Sequence, residues 1–225
     1  MILHLVTDRR RLTAGGAEES IACLLEQARF AVAAGIDVIQ LREPDLEGRA
    51  LSELASRLVQ LTRGSRTRVV VNDRLDVALA SRADGVHLRG TSFDALHVRA
   101  CVRPGFLVGR SVHSAPDAEA AGPVDYLIAG TVWPTGSKPP EHPLLGLRGL
   151  ARVASAATVP VLAIGGIQPD RAGEVARAGA AGVAAIGAWM SASTGCRALP
   201  LNDRADRFRS AFDTANMERE RPPLQ

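Results

Sequence analysis

The 225-residue sequence predicts an α/β protein that folds as a single (β/α)8 TIM barrel. Eight short apolar runs alternate with longer segments whose apolar residues recur every three or four positions, a pattern typical of a parallel sheet built from crossover units. Eight units in this length take about 28 residues each, which fits a closed barrel better than an open doubly wound sheet. The first run also continues into Thr7-Asp8-Arg9 rather than into a glycine-rich dinucleotide turn.

The predicted strands, in order, are 2–7, 37–42, 68–72, 85–88, 107–112, 125–130, 160–165 and 182–187. The clearest predicted helices are 18–34, 46–63, 147–157 and 170–178, and Gly35, Gly122 and Gly179 stand where a helix stops before the next strand. The loop 131–146 is long and rich in proline and glycine, as functional lids are. We assign residues 1–212 to the barrel and 213–225 to a flexible C-terminal tail, because the chain ends in the charged, proline-containing MERERPPLQ.

Composition indicates a soluble globular protein and excludes disorder, collagen and coiled coil as its main state. Basic residues number 27 and acidic ones 24, and 46% of positions are hydrophobic. We expect no membrane partner, because no apolar run approaches the roughly 18 residues of a membrane span. The apolar start followed by arginines reverses the order of a signal peptide, so a cytoplasmic location is expected. Eight aromatic residues, and arginines that alternate with acids, argue against a nucleic-acid partner. The basic run 9–11 is expected to be a solvated loop or, because it follows the first strand, to guard the anion site.

Polar residues gather where the predicted strands end, which is where a barrel of this type carries its reactive groups. Strands two to five end in QLRE, NDR, HLR and RSVH, and alternation turns Gln40 and Arg42 together into the barrel mouth. Strands seven and eight end instead in Ile164-Gly165-Gly166 and Ile186-Gly187-Ala188. Backbone without bulky side chains lets N–H groups approach an anion closely, so these two loops predict a phosphate site.

Seven stretches of the chain carry a resemblance to a known family. They are residues 5–8, IQLRE at 39–43, VNDRLDVAL at 71–79, ADGVHL at 83–88, GRSVHS at 109–114, residues 131–139, and VPVLAIGGI at 159–167. In this order and spacing they resemble the thiamin phosphate synthase and thiazole tautomerase superfamily, over nearly the whole chain up to about Met190.

That resemblance implies a transferase that joins hydroxymethylpyrimidine diphosphate to hydroxyethylthiazole phosphate and releases diphosphate. Such an enzyme must neutralise a large anionic leaving group. The implied roles are pyrimidine binding by Gln40; diphosphate binding by Arg42, Asn72 and Lys138; assistance to the leaving group or pyrimidine by Ser111; a lid lined by Thr135 and Ser137; thiazole phosphate binding by the Gly166, Gly187 and Ala188 amides; and a Mg²⁺ ligand at Asp73. The candidate catalytic residues are Ser111, Lys138, Arg42 and His113.

Two positions depart from the synthase pattern that the resemblance implies. Pro44 stands where the family has a lysine, and Ser92 stands where it has a second magnesium carboxylate. Asp73 alone could hold Mg²⁺, but more weakly, because magnesium uses one or two carboxylates together with substrate phosphates. Asp94 and Arg89 are the candidates to compensate for these losses.

Two other functions stay open. A metal-independent tautomerase acting on a carboxythiazole phosphate also lacks those groups, but its acid/base histidine after strand six is Thr131 here, so His113 or Glu43 would have to move the proton. A non-catalytic protein that binds phosphate ligands is the third reading. His87 is interpreted as a packing or hydrogen-bonding residue, and oligomeric state is not predicted.

Overall fold

The computed structural model describes residues 1–136, 138–139, 141–190 and 201–220. For residues 219 and 220 it describes the backbone alone. Eight parallel strands pair in chain order, and the first pairs with the last to close the barrel. The strands are β1 (Ile2–Val6), β2 (Val38–Leu41), β3 (Arg68–Asn72), β4 (Gly85–Leu88), β5 (Leu107–Val112), β6 (Tyr126–Gly130), β7 (Val161–Ile164) and β8 (Gly182–Ala185). The predicted fold class is confirmed.

Helices follow the strands and form the outer layer. They are α1 (Ala17–Ala33), α2 (Gly48–Thr62), α3 (Leu75–Ala80), α4 (Ala95–Cys101), α5 (Ala115–Glu119), α6 (Gly146–Ala156), α7 (Ala172–Arg177) and α8 (Asn202–Glu220), with 3-10 turns at Arg9–Arg11 and Pro169–Arg171. The four clearest predicted helices correspond to α1, α2, α6 and α7. No helix among the described residues is long and apolar enough to cross a membrane.

The barrel interior holds a small apolar layer that supports the site above it. Tyr126, Ile128, Leu162 and Ala184 pack together inside the strands. A Cβ atom on Gly109 would lie 2.1 Å from Cζ of Tyr126, so only glycine at that position leaves room for the tyrosine ring. The larger apolar core lies between the outward faces of the strands and the helices.

The C-terminal boundary differs from the prediction. α8 continues to Glu220, and Phe208, Phe212 and Ala215 on this helix are buried. Residues 213–220, expected as a flexible tail, therefore extend a helix that packs on the barrel, because its apolar residues recur every three or four positions. Residues 221–225 of the predicted tail lie outside the described part of the chain.

Candidate active site

A hydrogen-bonded row of side chains crosses the barrel from β1 to β3. The Oε1 atom of Gln40 lies 3.0 Å from Nε2 of His4, and Nε2 of Gln40 donates to Oδ1 of Asn72 at 2.9 Å. Because an amide oxygen only accepts, His4 must carry its proton on Nε2. The row therefore fixes the orientation of both amides, and the Asn72 amide nitrogen has no partner among the described residues.

A second row links β4, β5 and β6. His87 lies 2.9 Å from Oγ of Ser111 through Nε2 and 3.2 Å from the hydroxyl of Tyr126 through Nδ1. The rings of His4 and Tyr126 have centroids 5.6 Å apart, so the two rows meet at the centre of the barrel. His87 is buried and hydrogen-bonded, as the sequence interpretation had it.

Burial keeps these central groups uncharged. Desolvation lowers the pKa of His4 to about 4, against a smaller opposing effect of its bond to Gln40, and burial lowers the pKa of His87 to about 3. Desolvation also raises the pKa of Tyr126 above its ordinary value. Below the mouth the barrel is thus polar but neutral at physiological pH.

Asp73 follows β3 directly and faces the loop after β4. Its backbone N–H donates to the carbonyl of His87 at 2.8 Å, and its carboxylate contacts Ser92 and Arg89. The neighbouring Arg74 pairs with Asp76 instead, so Asp73 does not form a surface pair with Arg74. The structure brings Arg89 to this carboxylate, and of the two predicted compensating residues it is the one that reaches Asp73.

Glycine backbones line the opposite side of the mouth, after β7 and β8. Gly166 has a φ of 64°, and a Cβ there would lie 2.6 Å from the carbonyl oxygen of Pro134, so no side chain fits. Among the described residues, the backbone N–H groups of Gly166, Gly187 and Ala188 have no acceptor. The guanidinium of Arg11 lies beside Gly187 and adds positive charge to these unpaired donors. This arrangement suits an anion.

The loop after β6 is anchored at its base and exposed at its tip. The N–H groups of Val132 and Trp133 donate to the carbonyls of Ile164 and Gly165, and the guanidinium of Arg171 lies 5.0 Å from the Trp133 ring centroid. Thr135 is half-buried and Lys138 is exposed. The predicted lid residue Ser137 lies outside the described residues.

The loop after β2 separates an exposed cation from a buried ion pair. The Arg42 side chain is exposed, while its backbone N–H donates to Oγ1 of Thr7 at 2.9 Å. Glu43 is 2% exposed and pairs with Arg9, which also pairs with Asp45. Burial raises the pKa of the Glu43 carboxyl, and the bond from Arg9 lowers that of Asp45 to about 2. Arg9 is therefore buried rather than solvated, and its ion pairs join the loop after β1 to the loop after β2.

His113 lies at the end of β6 although it follows β5. Its Nδ1–H donates to the carbonyl of Gly130, and its backbone N–H donates to Asp117 at 2.9 Å. Nδ1 is thus the donor to this carbonyl, and Nε2 has no hydrogen-bond partner among the described residues.

Comparison with known proteins decides the relationship that these residues indicate. The model for the family described as thiamine monophosphate synthase matches residues 3–189. The chain belongs to the thiamine monophosphate synthase family. A thiamine-phosphate synthase from Azorhizobium caulinodans is 39% identical over 215 residues, which cover 95% of each chain. One from Methanoculleus marisnigri is 44% identical over 163 residues, 72% of this chain and 77% of the relative. The solved thiamine phosphate pyrophosphorylase from Pyrococcus furiosus superposes with a TM-score of 0.77 at 33% identity, covering 95% of this chain and 96% of that one.

The predicted site residues of this family member fall into three groups. Contacts join Gln40, Asn72, Asp73 and Ser111 into one connected cluster at the ends of β2 to β5. The Gly166, Gly187 and Ala188 amides form the second group, and Arg42, Thr135 and Lys138 stand on the surrounding loops. Sequence reasoning missed Tyr126, whereas Arg11 belongs to the basic run 9–11, for which a place beside the anion site was one of two interpretations. Tyr126 is the chain's only tyrosine, and its position two before Ile128 on a strand was a usable signal.

Proposed function

We propose that this chain joins hydroxymethylpyrimidine diphosphate to hydroxyethylthiazole phosphate and releases diphosphate. One observation carries the proposal: the barrel mouth has two anion-accepting sides. Asn72 offers its amide at the end of β3, while the free amides lie after β7 and β8. In an eight-stranded ring β3 and β7 stand opposite each other, so one pocket can take a diphosphate and a phosphate at once.

The chemistry requires charge stabilisation and no protein nucleophile. The bond between the pyrimidine methylene carbon and the diphosphate oxygen breaks with both electrons on oxygen, and the thiazole nitrogen then donates its lone pair to that carbon. Arg42, Lys138 and the Asn72 amide would stabilise the departing charge, and removing one such donor typically costs roughly 10²–10³ in rate. The orienting bond from His4 lets Gln40 present its remaining N–H to the pyrimidine.

The neutral rings beneath the mouth also suit this reaction. Because His4 and His87 stay unprotonated, no fixed positive charge lies below the carbon that becomes cationic. Ser111, held by His87, would contact the pyrimidine or the leaving group. Both substrates are phosphorylated and do not cross membranes unaided, so we place the reaction in the cytoplasm.

Magnesium, which the family resemblance implies, does not fit the described residues. Asp73 is the one expected carboxylate present, and both of its oxygens already have partners. The carboxylate of Asp94 accepts the N–H of Leu96 and caps α4, so it supplies no second ligand. Among the described residues no group of three or more His, Cys, Asp and Glu could hold a metal ion. No step above passes through a metal.

The test is synthesis from purified components. The protein, incubated with the two phosphorylated halves, should produce thiamin phosphate, measured after oxidation to its fluorescent thiochrome form, together with one equivalent of diphosphate. Absence of both products under saturating substrates, from protein that is folded by circular dichroism, would refute the synthase proposal.

The placement of His113 favours a second candidate, the tautomerase. Its free Nε2 lies at the end of β6, next to the position where the tautomerase branch carries its acid/base histidine. The protein should then isomerise the carboxythiazole phosphate, and His113→Gln should abolish that isomerisation. The same substitution should leave turnover in the synthase assay unchanged. Thermal protection by thiazole phosphate without turnover in either assay would indicate a non-catalytic binder.

A further inference from the structure

Both oxygens of the Asp73 carboxylate contact side chains of their own chain. Ser92 donates its hydroxyl proton to Oδ1, and Arg89 donates through Nη2 to Oδ2. Asp73 has a φ of 61°, in the left-handed region, and its N–H is bonded to the carbonyl of His87. The carboxylate is therefore held in one place by its backbone and by two side-chain donors.

The loop after β4 is built to hold this arrangement. The Ser92 hydroxyl accepts the N–H of Arg89 at 2.9 Å, so its own proton must point towards Asp73. Nη2 of Arg110 donates to the carbonyl of Ser92 at 3.3 Å and also contacts that of Phe93. Ser92 thus donates a hydrogen bond to the Asp73 carboxylate, whereas a carboxylate at this position would bind a metal ion together with Asp73.

Arg89 is a cation held on Asp73 with most of its donors unused. One guanidinium nitrogen contacts the carboxylate, while 65% of the side chain is exposed, and its other N–H groups have no partner among the described residues. A guanidinium presents five donors in a planar fork that matches phosphate oxygens. A divalent ion on the same carboxylate would have to displace this arginine against charge repulsion.

We propose that Arg89, anchored on Asp73, binds the diphosphate group in place of a metal ion, so that this chain needs no divalent cation. The inference rests on the proposed function. The net charge of the site is the same in both arrangements. Two carboxylates with one Mg²⁺ have a net charge of zero, and so does Asp73 with Arg89. The C–O bond still breaks with both electrons on the diphosphate oxygen, whose charge is met by guanidinium N–H groups.

Binding of inorganic pyrophosphate tests this without any turnover. Isothermal titration with chelator present should give the same Kd, within about twofold, as titration with Mg²⁺, and Arg89→Gln should weaken binding roughly tenfold or more. Arg74→Gln is the matched control, because it removes the same charge next to Asp73 from a residue paired with Asp76. Pyrophosphate binding that requires Mg²⁺, or that Arg89→Gln leaves intact, overturns the inference.

A conversion variant provides the reciprocal test. Arg89→Gly combined with Ser92→Asp should bind Mn²⁺, seen as loss of the free-ion signal in electron paramagnetic resonance, whereas the parent chain should leave that signal unchanged. Both positions lie in a partly exposed loop, and the unfolding midpoint of each variant reports whether it folds. Mn²⁺ binding by the parent chain with an affinity equal to the double variant's would contradict the inference.

The outcomes separate the two proposals. If thiamin phosphate is synthesised but synthesis stops on chelation, the synthase proposal is supported and the proposed role of Arg89 is refuted. Metal-free, Arg89-dependent pyrophosphate binding without synthesis under any condition keeps the role of Arg89 in anion binding and removes the synthase.

Discussion

Acidification should destabilise this protein well above the pH at which carboxylates titrate, because two histidines are buried in the centre of the barrel. His4 and His87 are 0% and 2% exposed, and their ring centroids lie 6.4 Å apart. Burial lowers the pKa of His4 to about 4 and that of His87 to about 3. In the unfolded chain both return to ordinary values near 6.5.

The sign and size follow from proton uptake. Between pH 6.5 and 5 the unfolded chain binds a proton on each histidine that the native chain does not, so native stability falls as pH falls. The interval spans about 1.5 pH units, and each unit is worth about 1.36 kcal/mol per histidine. Each ring therefore lowers the free energy of unfolding by about 2 kcal/mol, and the pair lowers it by about 4 kcal/mol. The raised pKa of Glu43 acts in the opposite direction over a pH range that extends upward from its ordinary value of 4.5, so the histidine variants, which leave Glu43 unchanged, are needed to isolate the histidine contribution.

Urea unfolding followed by tryptophan fluorescence at pH 7.5, 6.5, 5.75 and 5.0 measures this loss. His4→Gln should remove about half of the pH dependence, and His4→Gln with His87→Gln nearly all of it, since glutamine keeps a donor near the Nε2 position without titrating. A parent chain that loses less than about 1 kcal/mol between pH 7.5 and 5.0, or a double variant that loses as much as the parent, would refute the reasoning.

Three further substitutions test the site and its support. Lys138→Ala should lower synthase turnover by at least about tenfold, because it removes a cation from the leaving group, and near-normal turnover would exclude that role. Gly166→Ala places a Cβ against the loop after β6 in a left-handed conformation, so the KM for thiazole phosphate should rise roughly tenfold, whereas an unchanged KM would place the phosphate elsewhere. Gly109→Ala should cost about 3 kcal/mol or more in urea unfolding, because the Tyr126 ring fills the space that Cβ needs. Gly16→Ala, where a Cβ meets nothing within 4 Å, is the control for that loss, and equal stability of the two variants would contradict it.

The cluster of polar side chains at the strand ends could be predicted, because parallel topology alone places the C-terminal ends of neighbouring strands side by side. Gln40 and Asn72 end adjacent strands, and Asn72 stands opposite His87 in the pairing of β3 with β4. Once alternation sets which residues face inward, their neighbours across the barrel follow without knowledge of any loop. The same argument does not reach α3, α4 and α5, which have five to seven residues each and too few turns to show helical periodicity.

Loop conformation was the part that the sequence did not determine. Nothing in the spacing of Arg9 predicts that a residue of a basic run is buried between Glu43 and Asp45. The pairing of Val112 with Ala129 places His113 beside Gly130, but the side-chain torsion that turns its ring to the Gly130 carbonyl is not fixed by that register. Such contacts depend on backbone torsions outside regular elements, where hydrophobic periodicity carries no information.

The departures from the family pattern are best understood together. The resemblance implies a lysine where Pro44 stands and a carboxylate where Ser92 stands, and the structure has Arg89 beside Asp73. Losing the carboxylate alone would leave a metal bound too weakly, and adding the arginine alone would oppose a metal still held by two carboxylates. Made jointly, and with the role proposed for Arg89, the changes would keep the charge around Asp73 at zero and move phosphate recognition from a metal ion to a guanidinium. Under the proposed role of Arg89 nothing replaces the lysine that the resemblance implies, so the diphosphate side would have one positive charge fewer than the implied pattern, and Arg42 and Lys138 would stabilise more of the leaving group's charge.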